Sequence, residues 1–326
     1  MQGKIVLEEH FAIPETLGDS QQYASADSWS EREHRLLDFQ GERLKQMDAN
    51  GVEFAILSLN APAIQAITDP AEAILTARKA NDALAEQVAR HPDRFAGFAA
   101  LPMQDPDAAG EELERSVREL GFKGALVNGF SQRGDEGLAL YYDAPEYLPF
   151  WETAARLGVP FYLHPRDPAP QSALVYQGHP WIMGSAWAFG VETASHALRL
   201  MASGLFDRVR GLQIILGHLG ESLPAAIWRV DHRIDDQPRG IPAKRPLASY
   251  LAENFHLTTS GNFSMPALIS AMLQLGSDRI MFSIDYPFDS HEPGAKWMDT
   301  VAISEADRLK IARTNAVRLF GLKLRP

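Results

Sequence analysis

The stretch Lys4-Ile5-Val6-Leu7-Glu8-Glu9-His10 decides how the rest of the chain is read. Lys4–Leu7 has the character of a short buried strand, and it runs straight into two acids and a histidine. Alternate side chains of a strand share a face, so Glu8 and His10 point one way and Glu9 the other. A carboxylate oxygen and an imidazole nitrogen two residues apart at a strand's end suit a divalent cation. By itself the triplet is weak, since polar residues of this kind usually sit on solvated surface. Its weight comes from what ends the later strands.

Seven further β-rich apolar segments follow, at 54–59, 95–101, 124–127, 160–163, 212–216, 255–259 and 280–283. They are continuous rather than alternating, as expected of parallel strands covered on both faces. Helical patterns separate them. Asp69–Arg90 and Asp105–Leu120 both open on Asp-Pro, and the second stops at Gly121. Pro145–Leu157, Gly190–Ser203 and Ser304–Leu319 are stopped in the same way by Gly158, Gly204 and Gly321. Eight strands alternating with helices predict an α/β fold of the (β/α)8 TIM-barrel type, one domain over residues 1–326. An open doubly wound sheet is the rival, but no Gly-rich dinucleotide fingerprint follows any strand. Pro14–Leu37, Pro165–Trp187 and Asp235–Pro246 break the repeat as loop insertions. The first two follow strands, which places them on the C-terminal face where barrel active sites are built.

The 326 residues are 45% hydrophobic, enough for a large core. A net charge of −11, with a pI near 5.4 and no basic run, excludes nucleic acid as a partner and disfavours an anionic membrane surface. Without a cysteine, disulfides and thiolate ligands are impossible, so any metal is held by N and O atoms. No apolar run is long enough to span a membrane, and the N-terminus does not read as a signal peptide. The expectation is an acidic, soluble, cytoplasmic protein.

The strand ends converge. They carry Glu8 and His10, His164, His218 and Asp285, and in a barrel these termini surround one mouth. Mixed histidine and carboxylate ligands suit zinc, manganese or Fe(II), with a coordination position open for water or substrate.

Over essentially its whole length the chain resembles the amidohydrolase superfamily, and within it the branch of non-oxidative aromatic-acid decarboxylases. The resemblance is carried by Leu7-Glu8-Glu9-His10-Phe11, Ile56–Pro62, His91-Pro92-Asp93-Arg94-Phe95 and Gly124–Phe130. It continues through Phe161–Arg166, Gly217-His218-Leu219-Gly220-Glu221, Thr258–Gly261 and Phe282–Phe288. Relatives acting on 2,3-dihydroxybenzoate or 5-carboxyvanillate typically have Ala where His10 stands. His10 and Asn128-Gly129-Phe130-Ser131-Gln132 therefore point to 2,6-dihydroxybenzoate. The resemblance implies one divalent metal, manganese or zinc, on Glu8, His10, His164 and Asp285, with His218 beside Asp285 as a second catalytic residue. It also implies that Asn128 and Arg229 contact substrate, that Phe288 packs near the ring, and that the protein is a homotetramer built from dimers. Tyr23, Trp181, Trp187 and Phe189 are candidate walls of an aromatic pocket. Glu221 reads either as an orienting group or as an ordinary first-turn carboxylate.

The implied chemistry is metal-dependent decarboxylation of an ortho-hydroxybenzoate. Direct loss of CO2 would leave an in-plane aryl carbanion, whereas protonating the carboxyl-bearing carbon first avoids it. Asp285 is the expected acid, its proton held in place by a neutral His218. The same ligands would also serve a hydrolase of a lactone or amide, with Asp285 as general base. A non-catalytic barrel that binds an aromatic acid would be expected to lack one of these groups, and all five are present.

Overall fold

Each of the eight predicted segments forms a parallel strand. They are β1 (Lys4–Phe11), β2 (Val52–Leu59), β3 (Phe95–Gly97), β4 (Ala125–Asn128), β5 (Phe161–His164), β6 (Ile214–Leu216), β7 (Phe255–Thr258) and β8 (Ile280–Met281). Strands β1 to β3 form one arc and β4 to β8 the other. Backbone bridges join the arcs at Ala99–Ala125 and Glu9–Tyr286. The sheet is therefore a closed (β/α)8 barrel. These features come from a computed structural model, which describes residues 1–134 and 136–324.

Alternation divides the strand residues between two cores. Ile5, Leu7, Ile56, Leu126, Ile215 and Met281 fill the barrel, which Ala316, Phe320 and Leu322 close at the N-terminal ends of the strands. Val6, Leu57, Val127, Leu163, Leu216 and Leu257 face outward under the helices. The helices start and stop where their residues dictate. The Asp69 carboxylate accepts the Glu72 N–H at 2.9 Å, and Asp105 accepts the N–H groups of Asp107 and Ala108 at 3.1 Å, each capping a helix with proline in its first turn. Gly158 ends the helix Leu148–Leu157 in the left-handed conformation.

Four details depart from the sequence expectation. The Pro14–Leu37 insertion is not a loop throughout, for it contains a 3-10 turn (Leu17–Tyr23) and an α-helix (Ala26–Leu37). The helix expected from Pro145 begins at Leu148, after a 3-10 turn at Pro145–Tyr147. An unpredicted antiparallel pair, Ser131–Arg133 with Leu138–Leu140, follows β4. The single helix expected at Ser304–Leu319 is interrupted by a π-turn at Lys310–Thr314, where the Ile311 carbonyl accepts the Phe282 N–H at 2.8 Å. Among the described residues, no helix is long and apolar enough to cross a membrane.

Candidate metal centre

The centre begins with an irregularity in β1. Val6 pairs with Ala55 and Glu9 with Leu57, so Leu7 and Glu8 together oppose Ile56, which is a β-bulge. Leu7 faces the barrel interior, and the extra residue lets Glu8 face inward as well. Alternation then resumes, with Glu9 outward and His10 inward. Ser283, just past β8, accepts both N–H groups of the bulge on its hydroxyl, from Leu7 at 3.0 Å and Glu8 at 2.7 Å.

Glu8, His10, His164 and Asp285 each offer one ligand atom, and these atoms all lie within 4.8 Å of one another. His10 Nε2 stands 3.3 Å from Asp285 Oδ1, and His164 Nε2 stands 3.3 Å from Glu8 Oε1. Glu8 Oε1, His10 Nε2 and Asp285 Oδ1 are buried without a hydrogen-bond partner. Leaving buried polar atoms unpaired is costly, and a cation between them would satisfy all three. The second polar atoms of Glu8 and His10 are already engaged. Glu8 Oε2 accepts from the Tyr162 hydroxyl and from Thr258 at 3.3 Å, and His10 Nδ1 pairs with Ser58 Oγ at 3.2 Å. Such bonds fix the orientation of metal ligands. The residues present fit a divalent cation with N and O ligands.

Backbone strain gathers at the same place. Asp285 (φ 75°), His218 (φ 51°), Leu219 (φ 59°), Glu221 (φ 53°) and Ser222 (φ 67°) all lie in the left-handed region. Each costs about 1–3 kcal/mol, which the surrounding structure must offset. The Leu219 N–H bond to the Thr258 carbonyl (2.7 Å) and the Asn262 side-chain bond to the His218 carbonyl (3.0 Å) hold the turn.

With the protein groups alone, burial would raise Glu8, but His218, His164 and His10 hold its carboxyl well below the usual carboxylate range. Burial pushes His164 down, toward the neutral imidazole that a metal requires. Burial also opposes a charged His218, yet Glu221, Glu8 and Asp285 outweigh it and hold His218 well above the ordinary histidine value. For Asp285 the burial effect is upward, and the neighbouring His10 and His218 imidazoles reverse it. Among the protein groups alone these directions favour charge on both His218 and Asp285, whereas the expected neutral His218 and protonated Asp285 belong to the site with metal and substrate bound. Glu221 receives His218 Nδ1–H at 2.5 Å and so orients that ring. His218 Nε2 is left facing Glu8 Oε1 at 3.5 Å and Asp285 Oδ2 at 3.8 Å.

A cavity of about 750 Å³ opens over the centre. Its lining includes His164, His218, Asp285, Tyr23, Trp187, Phe189 and Phe288. Phe288 packs edge-on to His10, with ring centroids 5.7 Å apart, and Tyr23 packs on Phe189 at 5.2 Å. Three of the expected substrate residues stand elsewhere. Asn128 is buried, and its amide N–H groups go to the carbonyls of Asn60 (3.0 Å) and Pro62 (3.4 Å), so it braces the chain after β2. Arg229 is exposed, because the helix Leu223–Asp236 turns Leu223, Ala226 and Val230 to the cavity instead. Trp181 is 68% exposed and packs on His179 outside the cavity. Sequence reasoning missed Arg32, Asn262 and Asp289 in the lining. Arg32 comes from the unpredicted helix Ala26–Leu37, donates to the Tyr23 carbonyl at 2.7 Å, and lies 5.8 Å from the Phe288 ring centroid.

The Amidohydrolase family model matches residues 10–322. A gamma-resorcylate decarboxylase of Rhizobium sp. is 61% identical over 325 residues, covering 99% of each chain. The crystal structure of a 2,6-dihydroxybenzoate decarboxylase complexed with 2,6-dihydroxybenzoate is 60% identical, with a TM-score of 0.97 over 99% of this chain and 100% of the other. A dihydroxybenzoic acid decarboxylase from Polaromonas sp., with bound manganese and the inhibitor 2-nitroresorcinol, is 57% identical. It superposes with a TM-score of 0.96 over 98% of this chain and 97% of that one.

Proposed function

The chain belongs to the amidohydrolase family, and on that premise we propose that it is a metal-dependent carboxy-lyase converting 2,6-dihydroxybenzoate to resorcinol and CO2. The observation that carries this is the cluster Glu8, His10, His164 and Asp285 beside a cavity walled by Tyr23, Trp187, Phe189 and Phe288. Glu8, His10, His164 and Asp285 hold one divalent metal, with manganese favoured by the Polaromonas relative. Bound there, the metal would offset the negative charge of the substrate carboxylate and ortho oxygen and fix the ring.

Asp285 delivers a proton to the ring carbon that bears the carboxylate. The carbon–carbon bond then breaks, its electron pair returns to the ring, and CO2 leaves. Negative charge arriving with the substrate raises the Asp285 pKa and draws a proton toward it. His218, oriented by Glu221 and 3.8 Å from Asp285 Oδ2, is placed to supply that proton. Phe288, Tyr23 and Trp187 pack on the ring and exclude water. Asn128 shapes the pocket through the Asn60 and Pro62 backbone. Leu174, Val175 and Trp181, close in sequence after β5, are each more than 60% exposed, and this apolar exposure supports a homo-oligomer, which light scattering would measure.

The test is a spectrophotometric assay of manganese-loaded protein with 2,6-dihydroxybenzoate, salicylate and 2,3-dihydroxybenzoate. Metal-dependent, stoichiometric resorcinol and CO2 are expected from the first. No turnover of any of the three by fully metallated protein overturns the proposal.

A further inference from the structure

We propose that Glu9, on the face of β1 turned away from the metal centre, is a positioning residue that sets both Glu8 and Asp285 through the hydroxyl of Ser283. Glu9 is 1% exposed, and its Oε1 accepts two bonds, from Ser283 Oγ at 3.1 Å and from the Ile284 N–H at 3.0 Å. Each has a distinct consequence. The first commits the only proton of the Ser283 hydroxyl to Glu9, so its lone pairs are left to receive the N–H groups of Leu7 and Glu8. Those two groups belong to the bulge that turns Glu8 into the barrel. The second bond holds the residue next to Asp285. Asp285 N–H in turn donates to the Glu8 carbonyl at 3.0 Å, and His10 N–H donates to the Tyr286 carbonyl at 2.6 Å. Arg43 reaches around the same face and donates to the His10 carbonyl at 2.6 Å.

These bonds cross the seam where the first barrel strand meets the last. β8 spans only Ile280–Met281, and past it the backbone meets β1 in the two bonds of Asp285 and His10. The ligand Asp285 lies past that point. Oε1 of Glu9 adds an acceptor for the Ile284 N–H, and an apolar residue there would leave the Ser283 hydroxyl free to rotate its proton toward the bulge. Metal ligands misplaced by an ångström bind poorly, and loss of such outer bonds typically lowers metal affinity by about 10–100-fold.

The inference rests on the metal-centre reading, and its test is metal binding rather than turnover. Glu9→Ala, Glu9→Gln and the parent chain are stripped of metal and titrated with Co(II), following affinity and the visible spectrum of the bound ion. Circular dichroism and thermal unfolding of the metal-free forms check the fold. Glu9→Ala should bind about 10-fold or more weaker, with an altered cobalt spectrum. Glu9→Gln should stay within about threefold of the parent with an unchanged spectrum, since its side-chain carbonyl can accept both bonds. Parent-like affinity and spectrum in Glu9→Ala overturn the proposal, as does a Gln variant as weak as the Ala variant. If Glu9→Ala does not fold, Ser283→Ala is read in its place, and parent-like cobalt binding there is equally fatal. A parent chain that takes up no stoichiometric cobalt would instead sink the metal centre itself.

Discussion

The Tyr162 hydroxyl donates to Oε2 of Glu8, and this bond decides which Glu8 oxygen faces the histidines. Thr258 supports the same oxygen at 3.3 Å and is itself 2.7 Å from the Tyr162 hydroxyl. Oε1 is thereby left toward His164 and His218. Tyr162→Phe should free the carboxylate to rotate and weaken metal binding by about 10–100-fold. Chelator-competition titration measures this, and a dissociation constant within threefold of the parent would show that Thr258 alone suffices.

Gly217 has a spatial rather than a conformational reason to lack a side chain. A Cβ there would lie 2.8 Å from Glu8 Oε2 and 3.2 Å from the Tyr162 hydroxyl. Because Glu8 is tethered on that side, Gly217→Ala should displace the ligand rather than be absorbed. Metal retained after dialysis, measured by elemental analysis, is expected to fall well below the parent's. Full retention would mean that the carboxylate can move without cost to the centre.

Asp285→Asn keeps an oxygen near the centre and removes the group that carries the proton. Turnover of 2,6-dihydroxybenzoate should be abolished while most of the metal stays bound. Parallel rate and metal measurements check both halves, and parent-like turnover would remove Asp285 from the proton transfer.

Two histidines remote from the centre make the fold acid-sensitive. Burial pushes His196 and His256 down to about 3, against an ordinary value near 6.5. Between those values the unfolded chain binds more protons than the folded one, so stability rises with pH. The contribution is fully present above about 6.5 and is lost as the pH falls toward 3. The slope is at most roughly 1.4 kcal/mol per pH unit for each histidine. Urea midpoints should drop between pH 7.5 and pH 5. His196→Gln can still accept the Tyr142 N–H that His196 Nε2 accepts at 3.2 Å, and it should flatten the slope. An unchanged slope would assign the sensitivity to other groups.

The ligands were legible in sequence because they stand at or just past strand ends, where a barrel brings remote residues to one mouth. The bulge was not. Leu7-Glu8 contains no glycine or proline to announce it, and it follows from the Ser283 hydroxyl 275 residues away. Arg32 was hidden for another reason. The stretch Ala26–Leu37 is too polar to advertise an apolar face, and it becomes a helix by packing on the barrel mouth. Arg229 shows the limit of motif matching, since a residue name in a helix does not say which way the helix is turned. Ala226 and Val230, not Arg229, hold the cavity-facing phase.

The seam between β1 and β8 also has a meaning for synthesis on the ribosome. Glu8 is on β1 and Asp285 follows β8, so the ligand set is completed only once the last barrel strand has been made. A fragment cut short before β8 lacks both Asp285 and the Ser283 hydroxyl that holds the Glu8 bulge, so it loses one ligand and the support of another.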